Sequence, residues 1–537
     1  MRSCLLGLFG FIFVTALAHA GFLTPDLQAK LDQGAPDEKL RVIVRMAEEA
    51  DISVFPKGQR EAMVQYLKDF ASRSQKDLLA SLPTYGDKVS KVKPFWIYNG
   101  ITMEATKGVV LDLLERPDVG YVEEDKVIRL EAFQKAKNAP HIQGLEWNIQ
   151  KIKADSVWRV LGYTGRGVLI GNMSTGVMVT HETFGGRWRG GNNSWFDAVW
   201  GRPDPYDDIG WGTLTMGIVC GGSTADSIGV APGATFVGSK VWDSSGQVVY
   251  QRFDSCYQWY ASLGPAAPNI LFIDWGIYGN DTHFWQGSRN LQILGIHQVC
   301  ANGNTGPNPG SVCSPGSYPH HIGVGSTVLE DTITNWSARG PSPSFGAMES
   351  SANYLDPNWA FSRRKPDLSA PGERVRSSYN NGGYITGSSS GLAAAHVAGV
   401  IALMLEKNPN LTDRQIWQIL TSTCDTFSFG GPYPNQNYGW GRLNAYRAVM
   451  ATPPSGVAEE EARSPVSHLP FSVSPNPFAS FGTIPGHFSE RFALYDIAGR
   501  KVGTYKGDRV GEGLSAGVYF IRHDHSDIKP LRIVKVR

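Results

Sequence analysis

The chain has 537 residues, of which 42% are apolar, with 50 Lys plus Arg against 49 Asp plus Glu. That length requires several domains, and the balanced charge excludes the broad basic surface that nucleic acid or an anionic membrane would select. The 61 glycines and 15 tryptophans fit a loop-rich α/β protein with close backbone approaches.

In chain order, Arg2, the apolar run Leu5 to Leu17 and the small-residue site Ala18-His19-Ala20 predict a signal peptide over 1–20, cut before Gly21. The run is too short to span a membrane, and no later segment supplies eighteen consecutive apolar residues. The expectation is an exported chain with no membrane span. Beyond the leader the cysteines are Cys220, Cys256, Cys300, Cys313 and Cys424. Export permits disulfides. A Cys300–Cys313 bridge across their Gly/Asn/Pro-rich loop stands beside the alternative of buried free thiols.

Residues 21–135 form a first small unit. Leu40 to Val44 is strand-like, and Gly58 to Leu82 carries Met63, Leu67, Phe70, Leu78 and Leu82 at helical spacing. Phe95 to Ala105 reads as a strand, Thr106 to Glu115 as a helix, and Val119 to Leu130 as a final strand pair. Two β-α-β passes of this size predict a ferredoxin-like α+β domain. Residues 146–450 alternate buried-strand runs, such as Gly167 to Gly171, Thr235 to Gly238 and Ile270 to Ile273, with helix-like stretches. This predicts a parallel sheet with helices on both faces. Residues 453–470 are a polar, proline-punctuated linker, and 471–537 alternate apolar and polar residues as a small β-sandwich would.

The large middle segment resembles the subtilisin family of serine peptidases (subtilases), in its bacillopeptidase F-like branch. The resemblance rests on Trp195 to Val199, Pro205 to Asp208, Gly340 to Pro343, Gly229 to Ala234 and Lys365 to Gly372, in the family's order. It implies an α/β subtilisin-like fold and a Ser-His-Asp triad. The family's acid motif reads Ser174-Thr175-Gly176-Val177 here, so Ser174 holds the Asp position. The base motif reads Trp211-Gly212-Thr213-Leu214-Thr215-Met216-Gly217, so Trp211 replaces the His. The nucleophile motif reads Ser389-Ser390-Gly391-Leu392-Ala393-Ala394-Ala395-His396, which puts Gly391 at the Ser position. Tyr384-Ile385-Thr386 and His396 to Gly399 match the family spacing without a gap. Sliding Ser388, Ser389 or Ser390 into place would rotate a helix start by about 100° per residue.

A serine nucleophile needs an adjacent base, and the base needs a carboxylate to fix its tautomer. Gly391 has no oxygen, and indole has no basic nitrogen. Asn304, in Ala301-Asn302-Gly303-Asn304, matches the family's oxyanion donor, while an Asn in a Gly-rich turn also serves simply to close it. Asp274-Trp275-Gly276 and Ala301-Asn302-Gly303 match the substrate-binding edges, with Asp274 where the family often has Ser, an extra carboxylate beside the groove. Trp211 fills the vacated cleft or offers an aromatic platform. Trp188, Trp195 and Trp200 read as core, and His181 as structural. The twelve histidines show no zinc spacing. The family often carries calcium, for which no ligand is assignable here, and no other cofactor is expected.

Two flanking resemblances complete the reading. Ile97 to Met103 and Val119 to Asp125 resemble the inhibitor-type propeptide of subtilases, which implies that the chain's own propeptide is a partner of the cleft. Ser474-Pro475-Asn476-Pro477-Phe478, Leu494 to Val502 and Leu514 to Arg522 resemble the sorting domain of the type IX secretion system. This implies that machinery as a partner, and the outer surface of a two-membrane bacterium or secretion from it. The expected function is a subtilase-fold pseudoprotease that binds peptide or protein. An active serine hydrolase with an unrecognised nucleophile, and a structural or carbohydrate-contacting surface protein, are the alternatives.

Overall fold

The computed structural model describes residues 21–455 and 479–536, apart from 131–133, 140–143, 223–227, 280, 347, 350–354, 357, 485–490, 497–499 and 524–530. The expected leader, most of the linker and the Ser474 to Phe478 motif therefore lie outside the described residues. The chain divides into two compact units after Ser455.

The first unit begins with β1 (Phe22–Leu23), α1 (Pro25–Gln33), β2 (Lys39–Met46), α2 (Arg60–Ser74), α3 (Lys76–Ser81), β3 (Val89–Phe95), β4 (Gly100–Thr106), α4 (Lys107–Leu114) and β5 (Val119–Glu124). The sheet order is β1-β5-β2-β4-β3. The last four strands pair antiparallel, which is the strand order of a ferredoxin-like domain. The stretch expected as one strand from Phe95 is instead a hairpin. Asn99 takes positive φ and its side chain accepts from the buried Gln75 amide, so the chain reverses between Phe95 and Gly100. Strand alternation divides β2 between two cores. Val42 and Val44 face α1 and α4, whereas Ile43 joins Phe95, Ile97, Met63 and Leu67 in a core shared with the larger domain downstream.

The segment β6 (Val127–Arg129) does not pair with β5 as expected but with β11 (Gln247–Val249), antiparallel. After it, β7 (Gln134–Ala139) leads into the main sheet. Its strands are β8 (Leu169–Ser174), β9 (Trp195–Asp197), β10 (Thr235–Lys240), β12 (Ile270–Ile273), β14 (His297–Ala301), β16 (Ile322–Thr327) and β17 (Leu368–Pro371). They run in the order β17-β16-β14-β12-β8-β10-β9, every pair parallel. Parallel strands require crossovers, in which α5 (Trp211–Cys220), α6 (Tyr250–Ser262) and α7 (Trp285–Ile293) take part, while α8 (Ser390–Lys407), α9 (Asp413–Ser422) and α10 (Ala445–Ala451) follow the sheet's last strand. Helix α8 is the one described helix long and apolar enough to cross a membrane, and it is buried from Ser390 to Leu405 in the main core.

The first domain sits on α6 and α7. Ile43, Phe95, Ile97 and Tyr98 share one core with Tyr250, Phe253, Tyr257, Phe284 and Trp285. Asn290 donates to the Ile97 carbonyl at 2.7 Å, Trp96 N–H to Gln258 at 2.8 Å, and Arg60 to the Leu294 carbonyl at 2.7 Å. The five cysteines from Cys220 to Cys424 are buried free thiols. Cys300 instead meets His321 Nδ1 at 3.4 Å, and Cys313 contacts Thr305, so the Cys300–Cys313 bridge does not form.

In the second unit, β20 (Arg491–Tyr495), β21 (Lys501–Lys506), β22 (Gly517–His523) and β23 (Leu531–Lys535) form one antiparallel sheet in the order β21-β20-β22-β23. Its core is Ile484, Phe492, Leu494, Val510, Ile521 and Ile533. The described residues thus show a single sheet where a sandwich was expected.

Close packing across the main sheet sets one clear test. A Cβ on Gly171 of β8 would stand 2.8 Å from the Tyr260 ring of α6 and 3.0 Å from Pro268. Overpacking of this kind costs about 1–3 kcal/mol, so Gly171→Ala should lower the urea midpoint accordingly, with the slope unchanged.

Candidate functional site

Strand pairing brings the expected positions together. Met173 of β8 lies opposite Ile273 of β12, so Ser174 and Asp274 are neighbours at adjacent strand ends. Trp211 begins α5 behind Gly210, whose positive φ opens the helix. Asp207 caps that helix, accepting from Gly210 N–H and from both the N–H and hydroxyl of Thr213. Gly391 is in the first turn of α8, where Ser389 is the N-cap and accepts from Gly391 N–H at 2.9 Å.

The extra carboxylate is turned inward from the cavity it borders. Asp274 is buried, and one oxygen, Oδ2, accepts from Ser174 Oγ and from Thr215 Oγ1, each at 2.7 Å. Relative to the pattern that the resemblance implies, Asp and Ser stand exchanged across the two strands. Burial pushes the Asp274 pKa up to about 7, against the Thr215 and Ser174 hydroxyls and the Asn172 amide, which favour the carboxylate. Its other oxygen, Oδ1, is buried without a hydrogen bond.

Trp211 is 3% exposed and belongs to the main hydrophobic core. A Cβ built on Gly391 would lie 3.0 Å from the Trp211 indole and 2.4 Å from the Asp274 carbonyl oxygen. The space for a side chain at 391 is therefore filled by backbone. What remains of the cleft is a cavity of about 30 Å³, bordered by Trp211, Asp274, Gly303, Asn304, Ser389 and Ser390 among others, room for about one water.

The turn after β14 is committed internally. Asn304 donates to Ser389 Oγ at 3.3 Å and accepts from Ser390 N–H at 2.8 Å, so it ties the loop to the start of α8. Gly303 N–H donates to Ser390 Oγ at 3.1 Å, and Asn302 donates to the Ala338 carbonyl. Ala301 ends β14. Trp275 donates to the Met173 carbonyl at 2.9 Å, and Gly276 packs against Cys313. Among the described residues neither Ser389 nor Ser390 hydrogen-bonds an imidazole. His396, on the same helix, is buried between Asn148 and the Leu392 carbonyl, and burial lowers its pKa to about 4. His181 is likewise buried, bonded to Thr183 N–H and facing the Gly383 carbonyl. Trp188 and Trp195 pack on the core, but Trp200 is 63% exposed, contrary to its expected core role. No group of three metal-ligating side chains occurs among the described residues.

The chain itself borders the cavity. Strand β6 pairs with β11, Leu130 N–H donates to the Gly246 carbonyl at 2.8 Å, and Arg129 and Leu130 line the cavity wall. Four residues later β7 pairs antiparallel with β19 (Tyr384–Ser388), Gln134 opposite Ser388. The N-terminal segment thus flanks the site on both sides.

Sequence reading singled out Asp274 but missed its exchange with Ser174, and it missed Thr215 altogether. The signal was available in the adjacency of the strands ending at 174 and 274. The exchange has a pH consequence. A folded-state pKa raised from the ordinary carboxylate value to about 7 contributes stability fully present below about pH 4 and lost as pH rises through about 7. Asp274→Asn removes that dependence. Melting curves should show the variant gaining on the parent by up to about 3 kcal/mol between pH 5 and pH 9, and no relative gain would contradict a buried, proton-binding Asp274.

A family model, the subtilase family (Peptidase_S8), matches residues 165–441. Bacillopeptidase F of Bacillus subtilis (strain 168) is 29% identical over 461 residues, covering 78% of this chain and 31% of that protein. The chain thus spans less than a third of that relative's length. Subtilisin E of the same organism is 27% identical over 397 residues, covering 72% of this chain and 88% of the relative. M-protease of Shouchella clausii (strain KSM-K16) is 27% identical over 342 residues, covering 63% and 76%. With the parallel sheet, the ordered motifs and this match over half its length, the chain belongs to the subtilase family.

Proposed function

We propose that this subtilase-family chain does not hydrolyse peptides and works as an exported binding protein, a pseudoprotease whose cleft is held by its own N-terminal domain and whose ligand is an extended peptide or protein segment. The observation that carries the reading is Gly391. It lacks an oxygen, and a Cβ there would meet the Asp274 carbonyl at 2.4 Å, a distance real contacts do not reach. Trp211 supplies no base, and Asp274 is spent on the Ser174 and Thr215 hydroxyls. Loss of one triad member already costs on the order of 10⁴ to 10⁶ in rate.

The N-terminal domain then remains a part of the working protein. Its tail runs from β6 into the cavity wall and is covalently tethered, at an effective concentration in the millimolar range. An outside peptide competes with it for the same strand edges, by the strand-addition chemistry that pairs β6 with β11. Export is the reading of Arg2, Leu5 to Leu17 and Ala18-His19-Ala20, and passage across an outer membrane is the reading of the C-terminal motifs.

The test is a fluorophosphonate probe together with a casein assay on the purified protein. Neither labelling nor hydrolysis is expected, and stoichiometric labelling of any serine would overturn the proposal. Gly391→Ser should also remain unlabelled and be less stable than the parent by about 1–3 kcal/mol, because its side chain has to displace backbone.

A further inference from the structure

We propose that a cavity at the joint between the N-terminal domain and the subtilase domain binds a small apolar molecule carrying one carboxylate. The cavity has a volume of about 1020 Å³. Its walls come from within residues 53–63 of the N-terminal domain and from within 264–265, 289–297 and 409–413 of the subtilase domain. That volume is at the upper end for ligand sites in proteins. The cavity shares no lining residue with the one beside Asp274. The site goes beyond the proposed function and requires only that the N-terminal domain is docked.

The apolar part of the wall is Phe55 and Met63 from one domain and Ile293, Leu294 and Leu411 from the other. Met63 and Leu294 also belong to the core the two domains share. The polar part holds cations that no carboxylate neutralises. Arg60 commits its guanidinium to main-chain oxygens, donating to Leu294 at 2.7 Å, Gly264 at 3.0 Å and Gly295 at 3.3 Å. Arg289, on α7, is half-buried and makes no hydrogen bond or ion pair among the described residues. Gln292 lies one turn further along the same helix, where i and i+3 side chains are neighbours. It is 4% exposed, and its Oε1 is buried without a hydrogen bond.

The remaining charged groups of the wall are Lys57, Glu61, His297 and Asp413. Lys57 is exposed, and Glu61 is exposed in the first turn of α2. Asp413 is already engaged by His297 Nδ1 at 2.7 Å. Helix α2 begins at this wall with no side-chain cap, so its first-turn N–H groups add to the positive side.

These groups select the ligand. A guanidinium whose donors are all unclaimed matches the two oxygens of a carboxylate as a fork, and the Gln292 amide can turn an N–H toward the same head. A phosphate would find too few free donors for its remaining oxygens, since those of Arg60 are held by carbonyls. A bare small anion would leave the apolar wall uncovered. An apolar carboxylate satisfies both halves, its head at Arg289 and Gln292 and its body on Phe55, Met63, Ile293 and Leu411. Because both domains form the walls, the bound ligand also favours the docked arrangement by linkage.

The experiment is a titration of the full chain with sodium decanoate, followed by NMR of carbon-labelled methionine methyl groups, the Met63 signal being assigned through Met63→Leu. Decanoate should move the Met63 signal saturably. Decanol should bind about ten-fold more weakly or worse, the equivalent of one lost charge-assisted hydrogen bond. Acetate and inorganic phosphate should leave the signal in place. Arg289→Gln should weaken decanoate by about the same factor while leaving decanol unchanged, a split that general loosening of the fold does not produce. Should Arg289→Gln not fold, Ala62→Trp serves as the second variant. Ala62 is exposed on the cavity wall, so an indole there should block decanoate and decanol alike. A Met63 signal unmoved by decanoate, equal affinity for decanol and decanoate, or a shift with phosphate as large as with decanoate would overturn the proposal. So would an unchanged decanoate affinity in either variant.

Discussion

The carbonyl oxygen of Asp274 stands 2.4 Å from where a Cβ on residue 391 would be, and this single approach of strand β12 to helix α8 organises the centre of the molecule. It leaves the helix start no room for any residue but glycine. It brings the Trp211 indole against the same turn, and it directs the Asp274 side chain down to Ser174 and Thr215. Protein interiors close on unused space because dispersion contacts are lost across any gap. Here the cavity left beside that turn is about 30 Å³, with Arg129 and Leu130 in its wall. The Asp274 carboxyl, neutral for much of the acid range, joins the Ser174 and Thr215 hydroxyls in the core.

The N-terminal domain is integrated at two levels. Its sheet contributes Ile43 and Phe95, and the turn after β3 contributes Ile97, to a core completed by α6 and α7, and burial of such side chains contributes about 1.5–3 kcal/mol each. A buried quartet of Arg45, Glu123, His283 and Asp254 adjoins that core. Buried ion pairs give little net stability but penalise any state in which one member is left alone, so the quartet specifies the docked arrangement more than it strengthens it. The backbone continues the same contact into the cavity wall through Leu130.

Much of the architecture was legible because it rests on local rules. Ile270 to Ile273 is a run of buried apolar residues and forms β12, and Met63 and Leu67 at helical spacing form the buried stripe of α2. What escaped the sequence depends on partners distant in the chain. Nothing local reveals that β6 leaves β5 for β11, a partner about 120 residues away. Nothing local makes Asn99 turn the chain, because the Gln75 amide that holds it comes from the end of α2. At the site, the residue types at 174, 211 and 391 were readable one by one. The Ser174–Asp274 exchange was not, because it appears only when adjacent parallel strands are read as a pair. Asn304 was readable either as an oxyanion donor or as a turn residue, and its bonds to Ser389 and Ser390 show it tying the loop to the helix.

The central claim is that a cleft closed at Gly391 leaves its own N-terminal segment uncut. The most direct measurement is the intact mass and N-terminal sequence of the protein made without residues 1–20 in a protease-deficient host. The account predicts one unbroken chain through the junction from Ala132 to Leu145. Clean and complete cleavage within that stretch, reproduced across purification schemes, would contradict it.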